Sequence, residues 1–463
     1  MARIVIIGAG ISGLAAAARL GTLGHRVTVC EAAPGPGGMV GRLQRDGFSF
    51  DTGPTLLSLP AVYRDLALKT GKEPLEQLVG LTPVDPESHH LFADGTALTL
   101  PNASRGGVAR ALDGALGAGA GERWAAVMNR GRAVWEATRR PLLEEPLPAD
   151  TAPLGTDPYP APRHGLARLL GGRARPTLIE VAERELGGDP RLTALLTECA
   201  LRFGLDPRRA PAGATVLPYV EQTFGVWAVR GGLRTLVDVL VARCEQRGVE
   251  FRYGARVSPE DFPDAELVLR PEPAAAALPG RFSVLLALRG PRPAGTPQRT
   301  VVHTPRPREE FAALFDAPAP HELPTVQVLR PDDPSAVPDE RHETAVLTCT
   351  VPSQAEVDWT APGVAEAFAD RMLARLHAAG LDLGDRVLWR QLRTPADTER
   401  ETLSPGGAVA SPALAGLGGA FLQPANETGE PGRYRLGQAA HPGGGLARAG
   451  MSACVVAGLV GPA

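Results

Sequence analysis

Three glycines spaced Gly8-x-Gly10-x-x-Gly13 follow an apolar run, Arg3 to Ile7, and precede an Ala/Leu-rich segment, Leu14 to Leu23. In that setting the first glycine makes a tight turn, the second lets backbone approach a pyrophosphate, and the third allows close helix–strand packing. The start of the helix then offers free N–H groups and a positive dipole end to phosphate. Glu31 closes the next β-type run, Arg26 to Glu31, near the spacing of about 20 residues at which a carboxylate accepts ribose hydroxyl bonds. No arginine follows in Glu31-Ala32-Ala33-Pro34, so a ribose without a 2′-phosphate is favoured and NAD or FAD remain.

Other segments are as distinctive. Pro36-Gly37-Gly38-Met39-Val40-Gly41-Arg42 leads into Asp46-Gly-Phe-Ser-Phe-Asp51-Thr52-Gly53-Pro54, and Tyr219 to Gly232 contains Trp227-Ala-Val-Arg230-Gly231-Gly232. Near the end stands Leu436-Gly437-Gln-Ala-Ala-His441-Pro-Gly443-Gly444-Gly445, ahead of an apolar helical segment. Glycines in front of a helix expose backbone N–H groups at its positive end, so Gly443 to Leu446 are candidates for stabilising an anion.

In order and content these segments resemble the phytoene desaturase branch of the flavin amine oxidase superfamily, over roughly residues 4–65, 215–258 and 404–460. The resemblance implies FAD. It places Gly8, Gly10, Ile11, Ser12 and Gly13 at the pyrophosphate, and Glu31 with Ala32 at the ribose. Gly37, Gly38, Met39, Val40 and Arg42 follow, then Thr52, Gly53 and Pro54, with Val257 on the adenine side. Gly437, Gly443, Gly444, Gly445 and Leu446 would meet the pyrimidine edge, where negative charge develops on hydride transfer. Met39 stands where the family commonly has a phosphate-holding arginine, and Arg42 is expected to substitute for it. Pro259 to Asp264 stands where relatives carry a hairpin-bearing insertion.

The implied activity is FAD-dependent dehydrogenation of C–C bonds in a long hydrophobic substrate, a carotenoid precursor, other isoprenoid or polyene, with oxygen or a quinone as the final acceptor. Redox-neutral isomerisation or cyclisation of a polyene, amine oxidation, and non-catalytic binding of a prenyl group or lipid are the rival readings. No dominant acid–base residue stands out. Trp227 and Arg230 are placed near the isoalloxazine or substrate wall by the resemblance, against a reading in which Trp227 packs the core. His441 is the remaining catalytic candidate, against a reading in which it fixes a glycine turn.

The elements that must position these residues follow from periodicity. Residues 3–31 read strand, turn, helix, turn, strand, a βαβ unit that demands a parallel sheet. β-type content at 281–289, 325–329 and 344–351 predicts a second sheet, with a helix at Val364 to Ala379. Glu122 to Leu143 predicts a helix with Trp124, Val127, Met128, Val134 and Trp135 near one face, packing on its own domain or touching a membrane. The expected fold is α/β: a Rossmann-like FAD-binding domain from residues 1–105, 216–275 and 400–463, and an α+β substrate domain with a mixed sheet from 106–215 and 276–399.

Composition narrows the rest. A formal charge of -3 gives no basic face for nucleic acid. The five cysteines are scattered, without a C-x-x-C pair, so neither a disulfide framework nor a zinc site is expected, and His89-His90 lacks metal-ligating partners. Gly450-Met-Ser452-Ala-Cys454 lacks the second glycine of a nucleophile elbow, and Glu144-Glu145 reads as solvated charge. With no stretch of roughly 18 apolar residues, the expected location is the cytoplasm, any membrane contact being peripheral.

Overall fold

The β-branched run Arg3–Ile7 and the helix Ile11–Thr22 form as their patterns predict, and they seed a five-stranded sheet. The computed structural model describes residues 1–162 and 176–463; residues 163–175, inside the expected 106–215 segment and the end of the Pro-rich stretch Glu144 to Arg163, lie outside the described part. The sheet order is Glu250–Arg252, Arg26–Cys30, Arg3–Ile7, Leu267–Pro271 and Arg433–Leu436, and every pair is parallel. Its strands come from all three of the expected separate segments. A parallel sheet needs covering on both faces. The helix Ile11–Thr22 accordingly has Leu14, Ala15, Ala17, Ala18 and Leu20 fully buried, packed by the helices Arg234–Gln246 and Leu446–Val460.

The second sheet has seven strands in the order Val387–Arg393, Gly280–Arg289, His342–Val351, Val326–Leu329, Arg299–Val302, Ser88–Leu91 and Ala97–Leu100. It is mixed: Ser88–Leu91 runs parallel to Arg299–Val302, and the other pairs are antiparallel. The hairpin at 88–100 therefore belongs to this sheet, although the expected boundary left it in the 1–105 segment. Short strands of alternating burial carry no label of their sheet, and only the pairing with Arg299–Val302 decides it.

One face of this sheet packs on the helix Val364–Ala378. Phe282 from the sheet meets Phe368 at 4.9 Å and Trp359 at 5.3 Å between ring centroids, and all three rings are buried. The other face is different. On Gly280–Arg289 the residues Arg281 and Ser283 alternate with buried Phe282 and Val284, and on His342–Val351 Thr348 and Thr350 alternate with Leu347 and Val351. The second face is therefore mixed: polar at Arg281, Ser283, Thr348 and Thr350, and apolar farther along, where Leu285, Ala287 and Val346 pack on Phe48 and Phe50.

The helix expected from Glu122 runs Ala120–Arg139 and ends in one wider π-type turn, Arg140–Glu144. Trp124, Val127, Met128 and Val134 are buried, and the helix packs on Val216–Phe224, with Trp135 against Phe224 at 5.8 Å. Its apolar stripe is thus covered by its own chain. No helix among the described residues is long and apolar enough to cross a membrane.

Phe368→Ala removes the central ring of the aromatic cluster and is expected to cost about 3–5 kcal/mol, read as a lower urea midpoint with an unchanged slope. A loss below about 1 kcal/mol would show that the cluster is not a packed core.

Candidate functional site

The carboxyl ends of the parallel strands open onto a cavity of about 720 Å³, which continues between the two sheets. Its volume lies within the roughly 300–1,000 Å³ usual for small-molecule sites. Gly8, Gly10, Ile11, Ser12 and Gly13 line one end. The helix Ile11–Thr22 starts at Gly10 with no side-chain cap, leaving first-turn N–H groups for a ligand. A Cβ on Gly10 would meet nothing within 4 Å, whereas one on Gly13 would run into the Gly8 carbonyl oxygen, so Gly13 is what lets the helix approach the strand.

Glu31 and Ala32 lie beside this turn. The Glu31 carboxylate accepts hydrogen bonds from the N–H groups of Ala9 at 2.6 Å and Ala33 at 2.8 Å, which fixes it at the cavity edge. Gly37, Gly38, Met39 and Val40 line the next stretch, followed by Thr52, Gly53, Pro54 and, across the cavity, Val257. At the far side stand Gly437, Gly445 and Leu446, where the helix Leu446–Val460 begins, again without a side-chain cap. Two uncapped helix starts, a carboxylate and an array of backbone groups around one elongated cavity fit a dinucleotide of the FAD type.

The structure puts the remaining candidates elsewhere. Arg42 does not line the cavity: it donates to the Gly231 carbonyl at 3.1 Å and lies 3.6 Å from Asp238, so its charge is spent on the start of the helix Arg234–Gln246 and does not replace the arginine missing at Met39. Gly443 and Gly444 brace the turn. Gly444 N–H donates to the Ser411 carbonyl, and a Cβ there would strike the Ala410 carbonyl.

His441 is fully buried away from the cavity, its Nε2 2.9 Å from the Glu145 carbonyl oxygen, and burial lowers its pKa. It ties the C-terminal turn to the end of the Arg140–Glu144 segment. Trp227 sits in a small sheet opposite Leu57 and Pro83, with the Arg64 guanidinium 5.3 Å from its ring, and Arg230 is exposed. Neither reaches the cavity. The resemblance suggested Trp227 and Arg230, and residue type suggested His441, but a motif in a turn does not say which way each side chain points.

The motif around Asp51 has a structural task as well. Its carboxylate accepts from the N–H groups of Leu233 and Arg234 at 2.9 and 3.3 Å, and a Cβ on Gly232 would collide with it. Asp51-Thr-Gly-Pro and Arg-Gly231-Gly232 are thus two halves of one clasp. Burial pushes Asp51 up to about 6, against the lowering effect of those two donors.

Beyond the dinucleotide end, the cavity enters a chamber with apolar walls, among them Leu201, Phe203, Leu217, Val220 and Leu314. The polar sheet face, with Arg281, Ser283, Gln327, Thr348 and Thr350, also borders it. A buried ionic network closes one side. Arg299 donates to Glu87 at 2.9 Å and to Glu221 at 2.5 Å, Arg202 donates to Glu221 at 2.5 Å, and Gln327 donates to Glu198 at 2.6 Å.

Burial acts to raise Glu221, but the Arg202 and Arg299 guanidiniums outweigh it and hold the carboxyl well below its usual range. Glu87 is raised by burial and by Glu221. Glu310, which accepts from Thr325 N–H and Oγ1 at 2.6 and 2.9 Å, is pushed by burial up to about 7. Sequence reading missed this network. Its one early sign is Glu198 and Arg202 at i,i+4 next to the leucines of the helix Pro190–Arg202.

The match to known proteins agrees with this geometry. Residues 6–67 fit the model of the NAD(P)-binding Rossmann-like domain. The chain is 34% identical to a zeta-carotene-forming phytoene desaturase of Myxococcus xanthus, over 55% of this chain and 47% of that protein. It is 28% identical to a hydroxyneurosporene desaturase of Rhodobacter capsulatus over 96% of this chain and 94% of that protein. Among solved structures, an oxidoreductase from Methanosarcina mazei shares the fold, with a TM-score of 0.61, 15% identity and 98% and 99% of the two chains covered.

Glu31→Gln is expected to weaken FAD binding roughly tenfold or more, because a charge-assisted hydrogen bond becomes a neutral one. Titration of the flavin-free protein with FAD checks this, and an unchanged Kd would remove Glu31 from the site. Glu310 adds a pH effect. Its folded pKa is raised from 4.5 to about 7, so the folded state keeps a proton that the unfolded chain releases, and stability falls as pH rises between those values. Relative to Glu310→Gln, the wild type is expected to lose up to about 3 kcal/mol between pH 4.5 and 7 and nothing more above it, measured as the difference between two urea-unfolding series.

Proposed function

We propose that this chain, similar over nearly its whole length to carotenoid desaturases, is an FAD-dependent dehydrogenase that introduces C=C bonds into a long, largely hydrophobic isoprenoid or polyene substrate. The observation that carries this reading is the continuity of one cavity from the Gly8–Gly13 turn, past the start of the helix Leu446–Val460, into the apolar-walled chamber. FAD, when bound, supplies the acceptor for the hydride.

The chain's own residues do the positioning. Backbone N–H groups at Gly10 to Gly13 would hold the pyrophosphate, and Glu31 the ribose. Gly445 and Leu446 present the positive end of a helix to the region where negative charge appears on reduction. Leu201, Phe203, Leu217 and Leu314 hold the hydrocarbon and exclude water. The reaction removes two hydrogens from the substrate, as a hydride and a proton, and oxygen or a quinone would be the final acceptor of the two electrons. Trp227, Arg230 and His441 have no part in this.

Purified protein is expected to show the visible absorption of oxidised flavin and to release FAD on heating. Anaerobic addition of the right substrate is expected to bleach the flavin and yield a product lighter by two hydrogens. A product of unchanged mass replaces dehydrogenation with isomerisation or cyclisation. Protein that stays colourless after FAD is added leaves only a binding role.

A further inference from the structure

A guanidinium taken out of water costs several kcal/mol unless a carboxylate and further hydrogen bonds compensate it. The most buried arginines follow that rule: Arg299 is paired with Glu87 and Glu221, Arg330 with Glu343 and Arg243 with Glu73, and half-buried Arg202 is paired with Glu221. Two half-buried arginines that border the cavity lack such a partner. Among the described residues Arg281 has no carboxylate within 4 Å and donates only to the Thr350 hydroxyl, while Arg448 has neither an ion pair nor a hydrogen bond. The segment 163–175 contains no Asp or Glu, so it has no carboxylate to offer them.

Both cations persist at neutral pH. Burial lowers each to about 10, still well above 7. Of the cavity's carboxylates only Glu198 acts on Arg281 from a distance, and none pairs with either arginine. Glu198 and Glu221 are engaged by Gln327, Arg202 and Arg299, and Glu310 is raised by burial to about 7 and so is only partly charged. A wholly hydrocarbon substrate would bury Arg281 further and give nothing back.

Arg281 also stands in the right company. It lies on the polar face of the second sheet with Ser283, Thr348 and Thr350, opposite the apolar wall formed by Leu201 and Phe203. Arg448 sits beside Phe203 and the Gly445 turn, where it adds positive potential near the start of the helix Leu446–Val460.

We propose that the substrate carries an anionic oxygen group, a carboxylate or a phosphate, and that Arg281 is its anchor while the apolar remainder lies along the chamber wall. The planar guanidinium matches both groups, each of which accepts two parallel N–H bonds. The inference rests on the dehydrogenase reading for where the reacting bond lies, but the binding it describes is measured without turnover.

The test is binding of matched acid and alcohol pairs to the flavin-loaded protein, followed by flavin fluorescence: retinoic acid against retinol for a carboxylate, and farnesyl diphosphate against farnesol for a phosphate. The expected result is that the anionic member of one pair binds roughly tenfold or more tightly, and the favoured pair identifies the group. Arg281→Gln is expected to abolish that preference while leaving alcohol affinity, flavin content and melting temperature near those of the wild type, and Arg281→Lys to keep part of it. Equal affinity of acid and alcohol in both pairs overturns the proposal, as does a preference that survives Arg281→Gln. Loss of affinity for alcohols as well would assign Arg281 a merely structural role and overturn it too. None of these outcomes depends on whether a double bond is formed.

Discussion

The guanidinium of Arg299 is 3% exposed, and the chamber is arranged around the need to compensate it. Glu87 reaches it from just before the strand Ser88–Leu91, and Glu221 from the helix Val216–Phe224. Arg202, on the helix Pro190–Arg202, shares Glu221 and so binds that helix to the same knot. Breaking a buried pair by removing one partner typically costs about 3–5 kcal/mol, because a naked charge remains. These ionic contacts therefore hold two helices at a set height over the polar sheet face, and the space left beneath them is the chamber.

A second clasp sets the dinucleotide end. Asp51 caps the start of the helix Arg234–Gln246 through Leu233 and Arg234, and Arg42, paired across the hairpin with Asp51, reaches the Gly231 carbonyl. The chain from Gly37 to Pro54 is thereby pinned to an element nearly two hundred residues away in sequence. Met39 and Val40 are held against the cavity as a consequence, and Arg42 is drawn away from it.

The FAD-facing half was legible in the sequence because its constraints are backbone constraints. Gly13 must lack a Cβ to pass the Gly8 carbonyl, and the strand–turn–helix order leaves that glycine no other role. The chamber was not legible, because its chemistry depends on which side chains from distant strands and helices come together. Arg281 and Ser283 alternate with Phe282 and Val284, but a polar sheet face is ordinarily one turned to water, and only the packing of two helices over it makes these residues interior. Trp227, Arg230 and His441 failed in the opposite way: each adjoins a glycine-rich turn near the cavity, and each turns its side chain elsewhere.

The two ends of the cavity solve their charge problems by different means. Met39 offers no cation and Arg42 is engaged by Gly231, so a phosphate held at the first turn would depend on backbone N–H groups and the helix dipole, which are fixed by the fold. Arg281 lies instead on the second sheet, at the chamber. Backbone dipoles suit a resident cofactor, since they need no rearrangement when it binds. A side-chain cation on a sheet face suits a ligand that comes and goes, because its cost of burial is met only while the ligand is present. On that division the unpaired guanidinium of Arg281 works as a selectivity device: it gives plain hydrocarbons no return for its desolvation and leaves acidic long-chain molecules as the class that can pair with it.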